Sequence, residues 1–377
     1  MKNIQFLSPK THKTLFKINL SAFKHNLNYY KNLLKPKTKL IVMVKAFAYG
    51  LGLSKISEVL NEEKVDYLAV AYTDEAVELR LAGYEGKLMV FNPEPPCFDN
   101  IIRYQIEPEV YSLSLLKDYL EVLQSNGAYQ LLGELPIHIK IDTGMHRLGM
   151  MEEDLNEASK LIKENNQLKV ESVFTHLAAA DEESMDNFTL SQIEKFELLY
   201  QKLVVGFGYQ PMKHVLNSSG IERFGNYQMD MVRLGIGLYG FSPNQITEGK
   251  LQIVCSLFSH IAQIKKVKKG EAIGYNRSKI AENDMEIAIV FLGYADGLSR
   301  SLSNKGGLYL NGGMAPIVGN VSMDITVLDI SNITCKVGDV VEVFGEHFTL
   351  AQFSEMAGTI PYEVLTDISS RVRRIYS

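Results

Sequence analysis

Residues Leu40 to Gly52 read LIVMVKAFAYGLG. An apolar run from Leu40 to Val44 leads straight into Lys45. An unbroken aliphatic run of that length suits a parallel strand covered on both faces. A lysine at the end of such a strand must be desolvated, paired or made neutral. Tyr49, Gly50 and Gly52 follow, with a hydroxyl and a flexible turn. Two readings of Lys45 are open. Its ammonium can snorkel from the strand end into water, or the lysine can be tuned for covalent chemistry such as a Schiff base. The stretch alone favours the first, and the rest of the chain decides.

Outward from it, Thr14 to about Gly240 alternates short apolar runs with amphipathic helix patterns. The runs are Leu40–Val44, Tyr67–Ala71, Lys87–Phe91, Glu107–Tyr111, Ile137–Ile141, Val170–Thr175, His214–Asn217 and Met231–Gly235. Eight such βα units give the signature of a (β/α)8 TIM-type barrel, with a doubly wound sheet as the alternative. Glu107–Tyr111 is the weakest strand, because Pro108 interrupts its start. A long helix is expected from about Ser184 to Val205. After Pro243 strand-like runs follow closely, linked by turns such as Asn311-Gly312-Gly313. They imply a mostly antiparallel β-domain that ends in two short helices, near Leu350–Ala357 and Tyr362–Ile368. The expected division is an extension over 1–13 that packs with the C-terminal domain, a cofactor-binding α/β barrel over 14–243, and a β-domain over 244–377.

The chain has 377 residues, 46% of them hydrophobic and 22% charged, the balance of a globular protein. A net charge of −5 gives no hint of nucleic-acid binding. Cys97, Cys255 and Cys335 lie far apart with no CxxC, which argues against a disulfide framework and against a metal site. The first residues, MKNIQFLSPKTHK, lack the apolar core of a signal peptide, and no apolar run is long enough to span a membrane. A cytoplasmic protein without a membrane partner is the expectation.

In a barrel, functional groups gather at the C-terminal ends of the strands. Here those ends carry Lys45, then Asp142 and Arg147 in DTGMHRLG, His176, Asn217-Ser218-Ser219-Gly220, and Arg233 before Gly235-Ile236-Gly237. Each alone has a plain structural explanation: an ion pair, a hydrogen-bonded core histidine, a turn. Together they crowd one rim. Ser218, Ser219 and the glycine-rich RLGIG supply hydroxyls and approachable backbone N–H groups after strands seven and eight, where a barrel's phosphate site commonly lies. A phosphate at one side of the mouth and a lysine at the other suggest a phosphorylated carbonyl cofactor held as an imine, and pyridoxal phosphate fits both.

The blocks VKAFAYGLG, KIDTGMHRLG, FTHLAAAD, LNSSG, VRLGIGLYG, IGYNRS, GYADGLSR, GNVSMD and EVLTDISSRVRR, in that order, resemble the alanine racemases nearly end to end. The resemblance implies a homodimer with pyridoxal 5′-phosphate, an N-terminal barrel and a C-terminal β-domain, each active site borrowing residues from the partner. It implies that Lys45 carries the cofactor and is one of two bases. Tyr275 would be the second base, brought by the other subunit. Tyr49 and Ser218 would hold the phosphate with the backbone N–H of Gly235 and Ile236, and Asn217 would join the cofactor contacts. Arg233 would face the pyridine nitrogen and His176 the ring. Arg147 and the partner's Met323 would meet the substrate carboxylate. Lys140 matches a lysine carbamylated in some members. The implied reaction interconverts L- and D-alanine, supplying D-alanine for peptidoglycan. An arginine at the pyridine nitrogen does not give up its proton, so the ring stays a weak electron sink and returns the proton to the substrate carbon.

Several positions depart from the family pattern. Asn320 stands where many members have arginine. Ser370 stands where many have a tyrosine that touches the phosphate and walls the substrate pocket, so serine is expected as a second, slower substrate. The alternatives are a broader racemase acting on serine, a pyridoxal-phosphate decarboxylase of the same barrel-plus-β architecture, and a cofactor-binding protein without catalysis. Tyr275 and Met323 on a second domain argue against the last.

Overall fold

The computed structural model describes residues 13–377. The extension expected over 1–13 thus lies, but for its final residue, outside the described residues. The first strand, β1 (Leu15–Ile18), does not enter the barrel. It pairs antiparallel with Cys255–Val267 and parallel with Arg373–Tyr376, so the barrel begins later than residue 14. LFKI buries Phe16 and Ile18 on one face, the alternation of a strand in a sheet with one covered side.

The parallel sheet comprises β2 (Lys39–Met43), β3 (Tyr67–Val70), β4 (Lys87–Val90), β5 (Glu107–Val110), β6 (Leu135–Lys140), β7 (Leu168–Phe174), β8 (Met212–His214) and β9 (Met231–Leu234). Neighbours run β8-β7-β6-β5-β4-β3-β2-β9. The ring is closed by Asp230 N donating to Lys213 O at 3.2 Å and Arg233 N to Leu216 O at 3.0 Å. Each expected run meets a strand of the barrel, including the one that contains Pro108, which pairs with Val90, but the seventh is shifted: β8 ends at His214, and Val215 to Asn217 of the expected run lie beyond it. Helices cover the outside. The longest of the barrel, Asp186–Phe207, buries Ile193, Phe196, Leu199, Tyr200 and Leu203 at helical spacing and ends at Gly208 in the left-handed conformation.

The barrel interior is divided. Ile41, Tyr67, Ala69, Met89, Phe174 and Met231 form an apolar cluster. Facing them are Glu107, Glu109, His138, Lys140, Ser172, His214 and Arg233, all buried. The i, i+2 spacing of Glu107 and Glu109, and of His138 and Lys140, puts each pair on one face of its strand. Branched aliphatic residues usually fill such a barrel.

The second sheet is mostly antiparallel. It contains β10 (Cys255–Val267), β13 (Met285–Val290), β14 (Gly307–Leu310), β15 (Gly313–Pro316), β16 (Thr326–Asp329), β17 (Val340–Phe344) and β18 (Arg373–Tyr376), with β1 between β10 and β18; β11 (Ala272–Ile273) and β12 (Lys279–Ile280) form a separate ribbon. One continuous apolar core runs from the barrel helices into this sheet. The tail reaches back to the barrel mouth. Arg374 Nε donates to Gly50 O at 2.8 Å, and Tyr376 Oη to Leu51 O at 2.8 Å.

Candidate active site

The chain leaves β2 through Val44 and turns at Lys45. Ala46, Phe47, Ala48 and Tyr49 then have φ of 52°, 57°, 52° and 51°, one turn of left-handed helix without a glycine. Ala48 N bonds Val44 O at 2.9 Å and Gly50 N bonds Ala46 O at 2.9 Å. Such backbone costs about 1–2 kcal/mol per residue, so the surroundings must impose it. Glu75 is one clamp: its carboxylate accepts from Ala46 N at 2.5 Å, Ala71 N at 2.9 Å and Tyr72 N at 3.1 Å. Another is the closing helix Pro361–Thr366, which passes so near that a Cβ on Gly50 would lie 2.1 Å from Leu365 O. The flexible turn expected after Lys45 is a fixed one.

Lys45 opens into a cavity of about 700 Å³ at the C-terminal ends of the strands. Tyr49, Arg147, His176, Asn217, Ser218, Arg233, Gly235 and Ile236 line it with Lys45, and Lys140 forms part of its wall. The structure therefore brings together every site residue expected from the barrel. Desolvation, then the charges of Arg147 and Lys140, lower the Lys45 ammonium below its ordinary pKa, while Glu75 opposes them.

One side of the cavity suits a phosphate. Ser218 Oγ accepts from Gly235 N at 2.9 Å and Gly237 N at 3.4 Å. A Cβ at Gly235 would stand 3.1 Å from Tyr49 Oη and 3.7 Å from Ser218 Oγ, inside the space between those hydroxyls. Only a glycine leaves that cradle open. Tyr49 packs on Tyr239 at 4.4 Å, and Tyr239 Oη donates to Met43 O at 2.7 Å. Burial raises the Tyr49 phenol, which stays a neutral donor. Ile236 opens a 3-10 turn, Ile236–Tyr239, whose first N–H has no partner within the turn. Asn217 lines the cavity, but its side-chain oxygen caps the helix Ser218–Arg223 by accepting from Gly220 N at 2.9 Å.

Opposite lies a buried arginine with one N–H to spare. Arg233 Nη1 meets His214 Nδ1 at 2.6 Å and His214 O at 3.3 Å. Nη2 donates to Thr175 O at 2.8 Å and Val215 O at 3.0 Å, and stands 3.4 Å from His176 Nδ1. Its Nε has no partner among the described residues, so that N–H can donate to an acceptor in the cavity such as a pyridine nitrogen. Burial pushes Arg233 down to about 10, which leaves it charged at neutral pH. Desolvation, and then Arg233, Arg147, Lys140 and Lys45, hold His176 well below its ordinary pKa, hence neutral.

Arg147 is presented by a loop folded around Asp142, whose Oδ1 accepts from Gly144 N at 2.7 Å and His146 N at 3.2 Å. Burial resists ionisation of Asp142, but those N–H groups and the nearby His146 hold its carboxyl below the usual range. Arg147 makes no hydrogen bond or ion pair among the described residues and is available to an anion. Below it Lys140 Nζ lies 3.1 Å from Glu109 Oε1. Burial drives Glu109 up to about 7 and Lys140 down, against their mutual attraction.

Tyr275 and Met323 are not part of this cavity. They are 71% and 53% exposed on the β-domain. Asn320 lies beside them, donating from Nδ2 to Tyr275 O at 3.2 Å. The expectation for Ser370 is corrected: Ser370 does not line the cavity, and the tyrosine that does is Tyr362, just after Pro361 at the start of the closing helix. Its ring stands 6.1 Å from that of Tyr49. Serine at 370 therefore leaves the wall in place. Tyr362, Glu75 and Glu109 were not among the expected site residues. In EPEVY two carboxylates share one face, but that face reads as the solvent side of a strand until the barrel closes over it.

The site's likeness extends to the whole chain. The family profile described as alanine racemase, N-terminal domain, matches residues 18–243, and that of the alanine racemase C-terminal domain matches 254–376. Alanine racemase 1 of Clostridium acetobutylicum is 36% identical over 370 residues, covering 95% of this chain and 94% of the relative. The alanine racemase structure from Clostridium difficile superposes with a TM-score of 0.88 at 36% identity, over 97% of this chain and 96% of that one. The Bartonella henselae alanine racemase, described with covalently bound pyridoxal phosphate, gives a TM-score of 0.88 at 30% identity, over 97% and 99% of the two chains.

Proposed function

Because the chain belongs to the alanine racemase family, we propose that Lys45 and Tyr275 are the bases that exchange the Cα proton of alanine on its two faces. The enzyme is an isomerase that interconverts L-alanine and D-alanine with pyridoxal 5′-phosphate. The family's general role is to supply D-alanine for peptidoglycan. When bound, the cofactor supplies the carbonyl that takes up the amino acid and the conjugated ring that spreads charge from its Cα.

The observation that carries the residue assignments is the joint presence, in one cavity, of Lys45, the Ser218–Gly235 cradle and the unpartnered Nε of Arg233. Tyr49, Ser218 and the N–H of Ile236 bind the phosphate, while Gly235, whose own N–H is taken by Ser218 Oγ, keeps the space for it open. Arg233 donates to the ring nitrogen and cannot release a proton to it. His176 lies neutral against the ring. Arg147 binds the substrate carboxylate, with help from the backbone of Met323. Racemisation removes a proton on one face and returns it on the other, so two bases on opposite faces are needed. Lys45 serves one. Tyr275 does not line the cavity of its own chain, and a second copy of the chain delivers it; the working unit is a homodimer in the cytoplasm. Tyr362 favours alanine over larger substrates. The test combines the absorbance band of the lysine-bound cofactor with a chiral assay on L-alanine and a small panel of amino acids. Interconversion of alanine enantiomers supports the assignment; decarboxylation, or no turnover with the cofactor bound, overturns it.

A further inference from the structure

We propose that Glu107, His138 and Ser172 are positioning residues for Arg233, acting through one file of hydrogen bonds that crosses the barrel interior to His214. The proposal rests on the reading that Arg233 faces the cofactor's ring nitrogen. Four contacts make the file. Glu107 Oε2 lies 2.9 Å from His138 Nε2, His138 Nδ1 lies 2.6 Å from Ser172 Oγ, Ser172 Oγ lies 3.0 Å from His214 Nε2, and His214 Nδ1 lies 2.6 Å from Arg233 Nη1. His138, Ser172 and His214 have no exposed surface, and Glu107 and Arg233 are 6% and 3% exposed.

The two ends fix the direction of every bond. A guanidinium can only donate and a carboxylate can only accept. Arg233 Nη1–H therefore donates to His214 Nδ1, and His214 holds its proton on Nε2. That proton goes to Ser172 Oγ, whose own hydrogen goes to His138 Nδ1. His138 then carries its proton on Nε2 and gives it to Glu107. A proton on His138 Nδ1 would instead point at Ser172 Oγ, which would then accept from both histidines and leave its own hydrogen without an acceptor in the file. The bonding pattern therefore asks for two neutral imidazoles, each with its proton on Nε2. Desolvation, then the charge of Arg233, keep His214 well below its ordinary pKa, in agreement.

The file pins the guanidinium where it matters. With Nη1 held by His214 and Nη2 held by the carbonyls of Thr175 and Val215, Nε–H is left to the cavity and its direction is set. At the far end Glu107 is 3.8 Å from Lys87 Nζ, which donates to Tyr67 Oη at 2.8 Å and Glu171 at 2.7 Å. Lys87 and Glu107 border a second cavity, of about 740 Å³, at the N-terminal ends of β4 to β6. Burying these polar groups costs free energy that an aliphatic interior would not incur, so their presence needs a use.

The test uses the holoenzyme. Nitrogen-15 NMR of labelled histidine should show His138 and His214 neutral at neutral pH, each protonated on Nε2 alone. In Ser172→Ala the file is cut. The absorbance spectrum of the bound cofactor should shift, and pyruvate formation from alanine, with the amino group transferred to the cofactor aldehyde to give its amine form, should rise about tenfold relative to racemisation, the equivalent of one lost hydrogen bond. Ser172→Thr should restore both. Glu107→Met, which removes the terminal acceptor at another site, should reproduce the effect and guards against a folding defect of the alanine variant. Protonation of either histidine on Nδ1, or wild-type spectrum and partition in the two disrupting variants, overturns the proposal. The chiral assay on the unaltered enzyme tests the racemase reading separately, and the histidine tautomers are read without turnover, so the two failures are distinguishable.

Discussion

Lys45 sits among cations, and its chemistry follows from that. Desolvation, Arg147 and Lys140 all disfavour its ammonium, so it offers a free amine at a lower pH than a surface lysine does. Borohydride reduction of the holoenzyme should fix the cofactor on the peptide containing Lys45, and label on another lysine would sink the assignment. Removing one neighbouring charge should move the amine back toward its ordinary value. Arg147→Met should therefore shift the pH midpoint for cofactor uptake by apoenzyme upward, since a higher pKa leaves less free amine at a given pH. A downward or absent shift would mean that Arg147 does not act on Lys45. Specificity belongs to this scale too. Tyr362 walls the cavity, so Tyr362→Asn should raise kcat/KM for L-serine relative to L-alanine by about tenfold, within the 1–3 kcal/mol that small pocket differences are worth. Ser370→Tyr should leave that ratio unchanged. If instead Ser370→Tyr moves it and Tyr362→Asn does not, the wall has been misplaced.

The element that organises the mouth is the left-handed turn Ala46–Tyr49. In an ordinary exposed helix Ala→Gly destabilises by about 1 kcal/mol. At Ala46, exposed with φ of 52°, the sign should reverse: Ala46→Gly should hold or raise stability by up to about 1 kcal/mol, and Ala46→Val should lower it. Denaturant melts of the three proteins check this, and a loss in the glycine variant would contradict a strained turn. Nothing in KAFAY announces that conformation, because its cause lies elsewhere in the chain, in Glu75 and in the helix that presses on Gly50. The eight barrel strands were legible since each is a short apolar run between helix-period segments. β1 was not, because LFKI has the length and pattern of either sheet and only its partners, β10 and β18, decide. The rim residues were legible as polar groups at strand ends. Glu107, His138 and Ser172 were not, because a charged residue alternating with aliphatics reads as a solvent-facing strand, and only barrel closure turns that face inward. In the sequence Tyr362 looks like part of a plain terminal helix, and the family comparison draws attention to Ser370, eight residues on and outside the cavity.

At the scale of the whole molecule, one chain holds an incomplete set of groups. Its barrel mouth gathers the proposed cradle and Lys45, the proposed first base, while its β-domain displays Tyr275 and Met323 outward, 71% and 53% exposed. A large aromatic and a methionine left that open are apt for an interface, where such residues are enriched. In the proposed homodimer, a two-fold pair of copies, each facing its β-domain to the other's barrel, would complete two equivalent sites. The central claim is thus that Lys45 and Tyr275 act together but come from different copies, and complementation tests it most directly. Lys45→Ala and Tyr275→Ala proteins, each inactive alone, are mixed under conditions of demonstrated subunit exchange and assayed for L- to D-alanine conversion. In each mixed dimer one site has lost both bases and the other has kept both, so the account predicts recovery of about a quarter of wild-type activity from an equal mixture. No recovery despite exchange would place both bases in one chain and contradict the account.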